Sequence, residues 1–195
     1  TAVLFVDSSR KNCKLAENKG FACREGNALD PATYIDVEVE DFTSVLAASD
    51  NNEINVLFCT FLKDNFGIKK LYTVLNEKAS DELAEIINIH DIKLAFGTKR
   101  GGEENFSMEG FFTRLKDLFS RKKEEARWFQ ITGREFVKNT HGKYPLPEGT
   151  FVFMVVRNAT ERYIYHTTFE LQMNDEIYLM TASENVENMK SILSS

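Results

Sequence analysis

The chain has 195 residues, 43% of them apolar, which suits one large domain or two small ones with buried cores. A formal net charge of −6 argues against nucleic acid as the main partner, because phosphate recognition needs a basic surface. No apolar run approaches the ~20 residues needed to span a bilayer, and Cys13, Cys23 and Cys59 form no Cys-x-x-Cys pair, so they read as reduced thiols in a cytoplasmic setting.

Ala2 to Val6 is a continuous apolar run, as a strand covered on both faces should be. Asp7-Ser8-Ser9 leads into a helix that Gly20 closes, and Phe21 to Arg24 is a second strand running into Gly26. Asp30-Pro31 has the form of a cap followed by proline at the first helical position. Ser44 to Ala48 is the third strand, with Ser49-Asp50 at its exit. The helix after it is expected to bury Ile54, Leu57, Phe58, Phe61 and Leu62 and to end at Gly67. Lys70 to Leu75 is a fourth strand leaving through Asn76; Ser80 caps a helix bearing Leu83, Ile86 and Ile87; Ile92 to Phe96 is a fifth strand. The alternation predicts a parallel sheet with helices on both faces. In such a sheet ligands sit at the carboxyl ends of the strands, where this chain collects its small polar residues.

Composition changes at Gly97. Met108 to Glu125 is a helix candidate with Phe111, Phe112, Leu115, Leu118 and Phe119 on one face and Arg114, Lys116, Arg121, Lys122 and Lys123 on the other. From Trp128 the pattern becomes short strands, Trp128 to Ile131, Phe151 to Arg157, Tyr163 to Tyr165 and Glu176 to Met180, with a closing helix from Asn185 to Leu193. This half reads as α+β, built from hairpins rather than crossovers.

The ordered set Asp7, Gly26-Asn27-Ala28-Leu29-Asp30-Pro31 and Leu46 to Asn55 resembles the latter part of the RCK fold, also called the TrkA-type domain. In that family the third strand typically ends in Gly-Asp-Ala and the fourth in a Thr-Asp-x-x-x-Asn run. Pro147-Glu148-Gly149-Thr150 with Phe151 to Arg157, and Glu170 to Leu179, resemble the Pro-x-Gly, Val-x-Arg and Leu-x-x-Gly-Asp signatures of the small domain that follows it. Asn27 stands where the family usually has Asp, and Asn174 where it usually has Gly. The fold implied is α/β: a Rossmann-like parallel sheet lacking its first strand and glycine loop, followed by a small α+β domain. The resemblance divides the chain into 1–97 (RCK/TrkA-N-like), 98–127 (a linker with the amphipathic helix) and 128–195 (TrkA-C-like). The absent strand would lie between those starting at Ala2 and Ser44, and the chain reads as a piece of something longer.

The same resemblance implies nucleotide or ion sensing, with Asp7 accepting hydrogen bonds from ribose hydroxyls, Asn27 and Ala28 reading an adenine edge, and Ser49 and Asp50 lining the phosphate side. The aspartates have a plainer reading as helix caps: Asp7, with Ser8 or Ser9 able to cap in its place, Asp50, and Asp30, for which capping is preferred. Without the glycine loop no cofactor is expected to bind this chain tightly, although the intact protein would take an adenine nucleotide such as NAD or ATP. His90, His141 and His166 have no metal-ligand spacing and read as surface or turn residues. The residues contain no Tyr-x-x-x-Lys pair and no nucleophile elbow, so catalysis is not expected. The reading is a regulatory module on the cytoplasmic side of the membrane, belonging to a monovalent-cation transport protein, with an antiporter preferred to a channel or uptake system. Its partners would be a second copy of itself and a membrane-embedded transporter domain. The alternatives are a fragment of a nucleotide-dependent oxidoreductase and a dimerisation module without ligand.

Overall fold

The computed structural model describes residues 3–75, 80–96, 126–132, 150–166, 168–182 and 185–187. The expected helix from Met108 to Glu125, Asn76, His141 and most of the closing helix lie outside them.

The first half runs β1 (Leu4–Asp7), α1 (Arg10–Asn18), β2 (Ala22–Glu25), two short 3-10 turns (Pro31–Tyr34 and Val39–Asp41), β3 (Ser44–Ala47), α2 (Asn52–Phe66), β4 (Lys70–Thr73), α3 (Asp81–Ile89) and β5 (Lys93–Leu94). Each helix starts where a short polar side chain can take up an orphan backbone N–H. Ser9 accepts from Asn12, Asn51 from Ile54 and Ser80 from Leu83. Gly67 ends α2 at φ 71°, a left-handed conformation that glycine adopts without strain.

All strand pairs in this half are parallel, as the alternation of strands and helices predicts. They form two pieces, β1–β2 and β3–β4–β5, and β1 is not paired with β3. The break falls where the resemblance puts the absent strand. Val6 of β1 and Val45 of β3 nevertheless pack against one apolar cluster built from Val56, Cys59 and Leu62 of α2, Leu71 and Leu75 of and after β4, and Leu83 and Ile87 of α3.

The buried face of α2 keeps only part of the expected stripe: Leu62 is buried and Phe58 and Phe61 pack against the core. Ile54 and Leu57 are exposed at 42% and 52%, while Asn55, Val56, Cys59 and Leu62 face inward. Apolar residues occur on more than one side of this helix, and the inward row is chosen by Asn55, a polar residue whose hydrogen-bonding groups are all met inside. Of the apolar residues on α3, Leu83 and Ile87 are buried and Ile86 is exposed.

Two further expectations are corrected. Cys13 and Cys23 are joined as a disulfide, with Cα atoms 5.2 Å apart, because α1 folds back on the neighbouring β2 and brings the two side chains together. Cys59 alone is a free thiol, and burial pushes it up to about 12. His166 is buried, not a surface residue.

The second half contains β6 (Ala126–Thr132), β7 (Phe151–Arg157), β8 (Glu161–Ile164) and β9 (Glu176–Ala182) in one antiparallel sheet of order β6-β9-β7-β8. Val155, Ile177 and Leu179 are fully buried in it. Its charged anchor is Arg157, whose Nε and Nη2 donate to the two oxygens of Asp175 at 2.8 Å each. Burial pushes the Asp175 carboxyl up, but those bonds and one from the Gln172 N–H outweigh it and hold the group below its usual range. The arginine and the acid of two separate sequence signatures thus form one ion pair.

A candidate ligand site at the carboxyl ends of the parallel strands

The polar residues singled out in the sequence fall into two groups at the carboxyl ends of β1, β2 and β3. The first group surrounds Asp7 at the end of β1. Its Oδ1 accepts from the Ser9 N–H at 2.7 Å and its Oδ2 from Asn12 Nδ2 at 2.9 Å. Ser9, not Asp7, caps α1. Asp7 instead ties the strand-to-helix turn, and each carboxylate oxygen keeps a lone pair for another donor.

Gly26 links this group to the end of β2, its N–H donating to the Asp7 carbonyl at 3.1 Å. A Cβ at Gly26 would stand 2.7 Å from Thr33 Oγ1 and 2.9 Å from its methyl, so the position is glycine for close approach. The turn that follows is locked by its own side chains. Asn27 Oδ1 accepts from the Leu29 N–H at 3.0 Å, and Thr33 Oγ1 donates to the Asn27 carbonyl at 2.7 Å. The Ala28 carbonyl accepts from Tyr34 Oη at 2.7 Å. Tyr34 is buried, and its phenol is pushed up to about 12 by that burial, so it remains a donor at any physiological pH. Asp30 accepts from the Ala32 N–H at 2.9 Å and caps the 3-10 turn, as preferred.

The second group is the exit of β3. Ser49 is bound through both its N–H (2.8 Å) and its Oγ (2.7 Å) to Asn55 Oδ1. Asn55 Nδ2 in turn donates to the carbonyls of Ser49 at 3.0 Å and Val74 at 3.1 Å. Asp50 is exposed and does not cap α2; Asn51 does, accepting from Ile54 at 2.7 Å.

The fold therefore joins Asp7 to the Asn27–Ala28 turn through Gly26, and places Ser49 and Asp50 at the corresponding end of the other sheet piece. Asn55 is the residue that sequence reasoning passed over. It is 2% exposed and carries the whole Ser49 loop. The available signal was an asparagine six residues after Ser49, in the first turns of α2. Chemically the set offers carboxylate and amide oxygens to hydroxyl and amino donors. Among the described residues no group of three His, Cys, Asp or Glu side chains is arranged to hold a metal ion.

Residues 1–93 match the model of the TrkA-N domain family, so this part of the chain is similar to that family. Among solved structures the chain is similar to the GsuK RCK domain, at 10% identity over 99% of this chain and 46% of that one, with a TM-score of 0.33. It is also similar to the GsuK channel (11% identity, 98% and 35% covered, TM-score 0.40) and to the GsuK channel bound to NAD (11%, 98% and 35%, 0.39). The chain spans less than half the length of these structures. No curated protein matches it.

Proposed function

We propose that this chain is a regulatory, ligand-sensing module on the cytoplasmic side of a monovalent-cation transport protein, with its TrkA-N-type half contributing part of an adenine-nucleotide site. The observation that carries the reading is Asp7: it sits at the carboxyl end of a parallel strand, beside the break between the two sheet pieces, in the stretch that matches the TrkA-N family model. Dinucleotide folds use an acidic residue in that place to bind ribose hydroxyls. Asn27 and Ala28 on one side, with Ser49 and Asp50 on the other, complete the proposed contacts. Residues 1–97 form the sensing unit in this reading, and 128–195 the companion unit that passes its state on. The module acts by shifting between two arrangements that bind ligand unequally, not by catalysis. A second copy of the chain and a membrane-embedded transporter domain are the proposed partners, and a cation/proton antiporter is the preferred transporter. Among the described residues no helix is long and apolar enough to cross a membrane.

The test is calorimetry with NAD and ATP on the chain as it stands and on a version preceded by an added strand and Gly-x-Gly-x-x-Gly turn. Weak binding is expected to the first and tighter binding to the second. Asp7→Ala is expected to reduce the latter roughly tenfold or more, the scale of a charge-assisted hydrogen bond. Tight binding to both, insensitive to Asp7, would remove the site from this edge.

A further inference from the structure

The two halves meet in a small joint whose geometry is unusual in three respects. Tyr72 and Val74 of and after β4, Ala95 and Phe96 after β5, and Leu46 of β3 pack with Ile164 of β8. The backbone crosses the joint too: the Phe96 N–H donates to the Tyr165 carbonyl at 2.9 Å, and Ala95 pairs with His166 as an isolated antiparallel bridge. At the other end of β8, Lys70 Nζ donates to the Arg162 carbonyl at 3.3 Å and lies 3.7 Å above the Tyr163 ring. Phe96 itself has φ 60°, a sparsely populated conformation for a bulky side chain. Such a residue persists only where its surroundings hold it, and the Tyr165 bond and the Phe153 ring, 5.7 Å from its own, are among the contacts that do so.

His166 is the titratable group inside this joint, 8% exposed. Its ring stands edge-on to Phe169 at 5.3 Å and tilted to Tyr72 at 6.1 Å, and Nδ1 lies 3.1 Å from Thr168 Oγ1. From β4 it faces Tyr72, a phenol that burial pushes up to about 12 and that is therefore neutral. From β5 and the turn before it, the charges facing the ring are Lys93 and Asp91, which are paired with each other at 2.5 Å. Its own segment presents Tyr165, also neutral, and Thr168. Among the described residues no carboxylate hydrogen-bonds the imidazole. Burial first, and then Lys93, hold its pKa below the usual histidine value, with Asp91 opposing them.

We propose that this joint is an acid-sensitive coupling: protonation of His166 breaks the Ala95–His166 pairing and frees β8 and the residues after it from the β3–β4–β5 sheet. An imidazolium here would lose its hydration and gain no hydrogen-bonded carboxylate, with Asp91 already paired to Lys93; the Phe169 and Tyr72 rings return only part of that loss. The sign follows directly. A histidine with a depressed folded-state pKa binds fewer protons than the open state, so the closed joint is complete above the ordinary value near 6.5 and weakens as pH falls through it. The inference does not depend on whether the edge near Asp7 binds a nucleotide.

Two measurements on the full chain test it. Hydrogen exchange, corrected for intrinsic rates, should show the Phe96 and His166 amides losing protection between pH 7.5 and about 5.5 while Leu71 and Thr73 keep theirs, and the His166 ring resonance should titrate below the ordinary value. Over the same interval the wild-type melting temperature should fall about 3 °C further than that of His166→Phe, which keeps an aromatic ring but no titrating group. Constant protection of Phe96 across this range, or a His166 titration at or above the ordinary value, would overturn the proposal. Both of those readouts use the wild-type chain and stand even if the variant fails to fold.

Discussion

The pieces β1–β2 and β3–β4–β5 are written in the same strand–turn–helix pattern, yet they occupy different environments. In the larger piece Leu71, Thr73 and Val74 are at most 2% exposed, covered by α2 and α3 on one face and by the second half on the other. In the smaller piece Phe5 is 45% and Phe21 44% exposed, and the two rings meet edge-on, 5.4 Å apart, with one face open. The difference is one of neighbours and not of residue type. A strand is buried when its edges are paired and both its faces are covered, and among the described residues no strand pairs with β1 on the side away from β2. What keeps the smaller piece together is the turn chemistry around Asp7 and the Cys13–Cys23 link, where the larger has a core.

The contrast is broken most sharply by truncating one apolar side chain in each piece. Leu71→Ala is expected to cost about 3 kcal/mol in urea denaturation, and Phe5→Ala less than about 1 kcal/mol, since a half-exposed ring loses little on removal. Equal costs would mean that β1 is covered in solution.

Asn55→Ala comes next, at about 2–3 kcal/mol. It removes the acceptor of the Ser49 N–H and one donor to the buried Val74 carbonyl. Exchange of the Ser49 amide should accelerate in the same variant; an unchanged rate would show that the loop is held by something else.

Cys13→Ser is expected to cost about 2 kcal/mol under oxidising conditions, the scale for closing a loop of this size, where the paired residues are 10 apart. Adding dithiothreitol should reproduce that loss in the wild type and leave the variant unchanged. In a reducing cytosol the pair would stand open, so the effect reports how far β1–β2 depends on it.

Much of this organisation was legible beforehand, for identifiable reasons. Ser80, Gly67 and Asp30 act locally, through bonds to residues within three or four positions, and β7 was found at its observed limits because turn residues bracket a continuous apolar run. Asn55 and the exposed Ile54 and Leu57 were not legible, since α2 carries apolar residues on more than one side. Which row faces inward is decided by hydrogen bonds to Ser49 and Val74, the latter 19 residues away. Cys13 and Cys23 were misread for a similar reason: their spacing fits no motif, and only the return of α1 onto β2 brings them together. His166 was placed at the surface because its burial depends on Ala95, some 70 positions earlier in the chain, which no local pattern registers. For the site residues, the sequence located Asp7, Asn27 and Ser49 at strand ends, while the bonds that already occupy part of each became visible only in the fold.

The alternation along β4 has a consequence for how this chain can change. Leu71 and Leu75 point to the helices, while Tyr72 and Val74 point to the second half. Deleting or inserting one residue between Lys70 and Leu75 would turn each set toward the wrong layer and damage two cores in a single event. Length variation should therefore be purged from this stretch in any descendant of the protein.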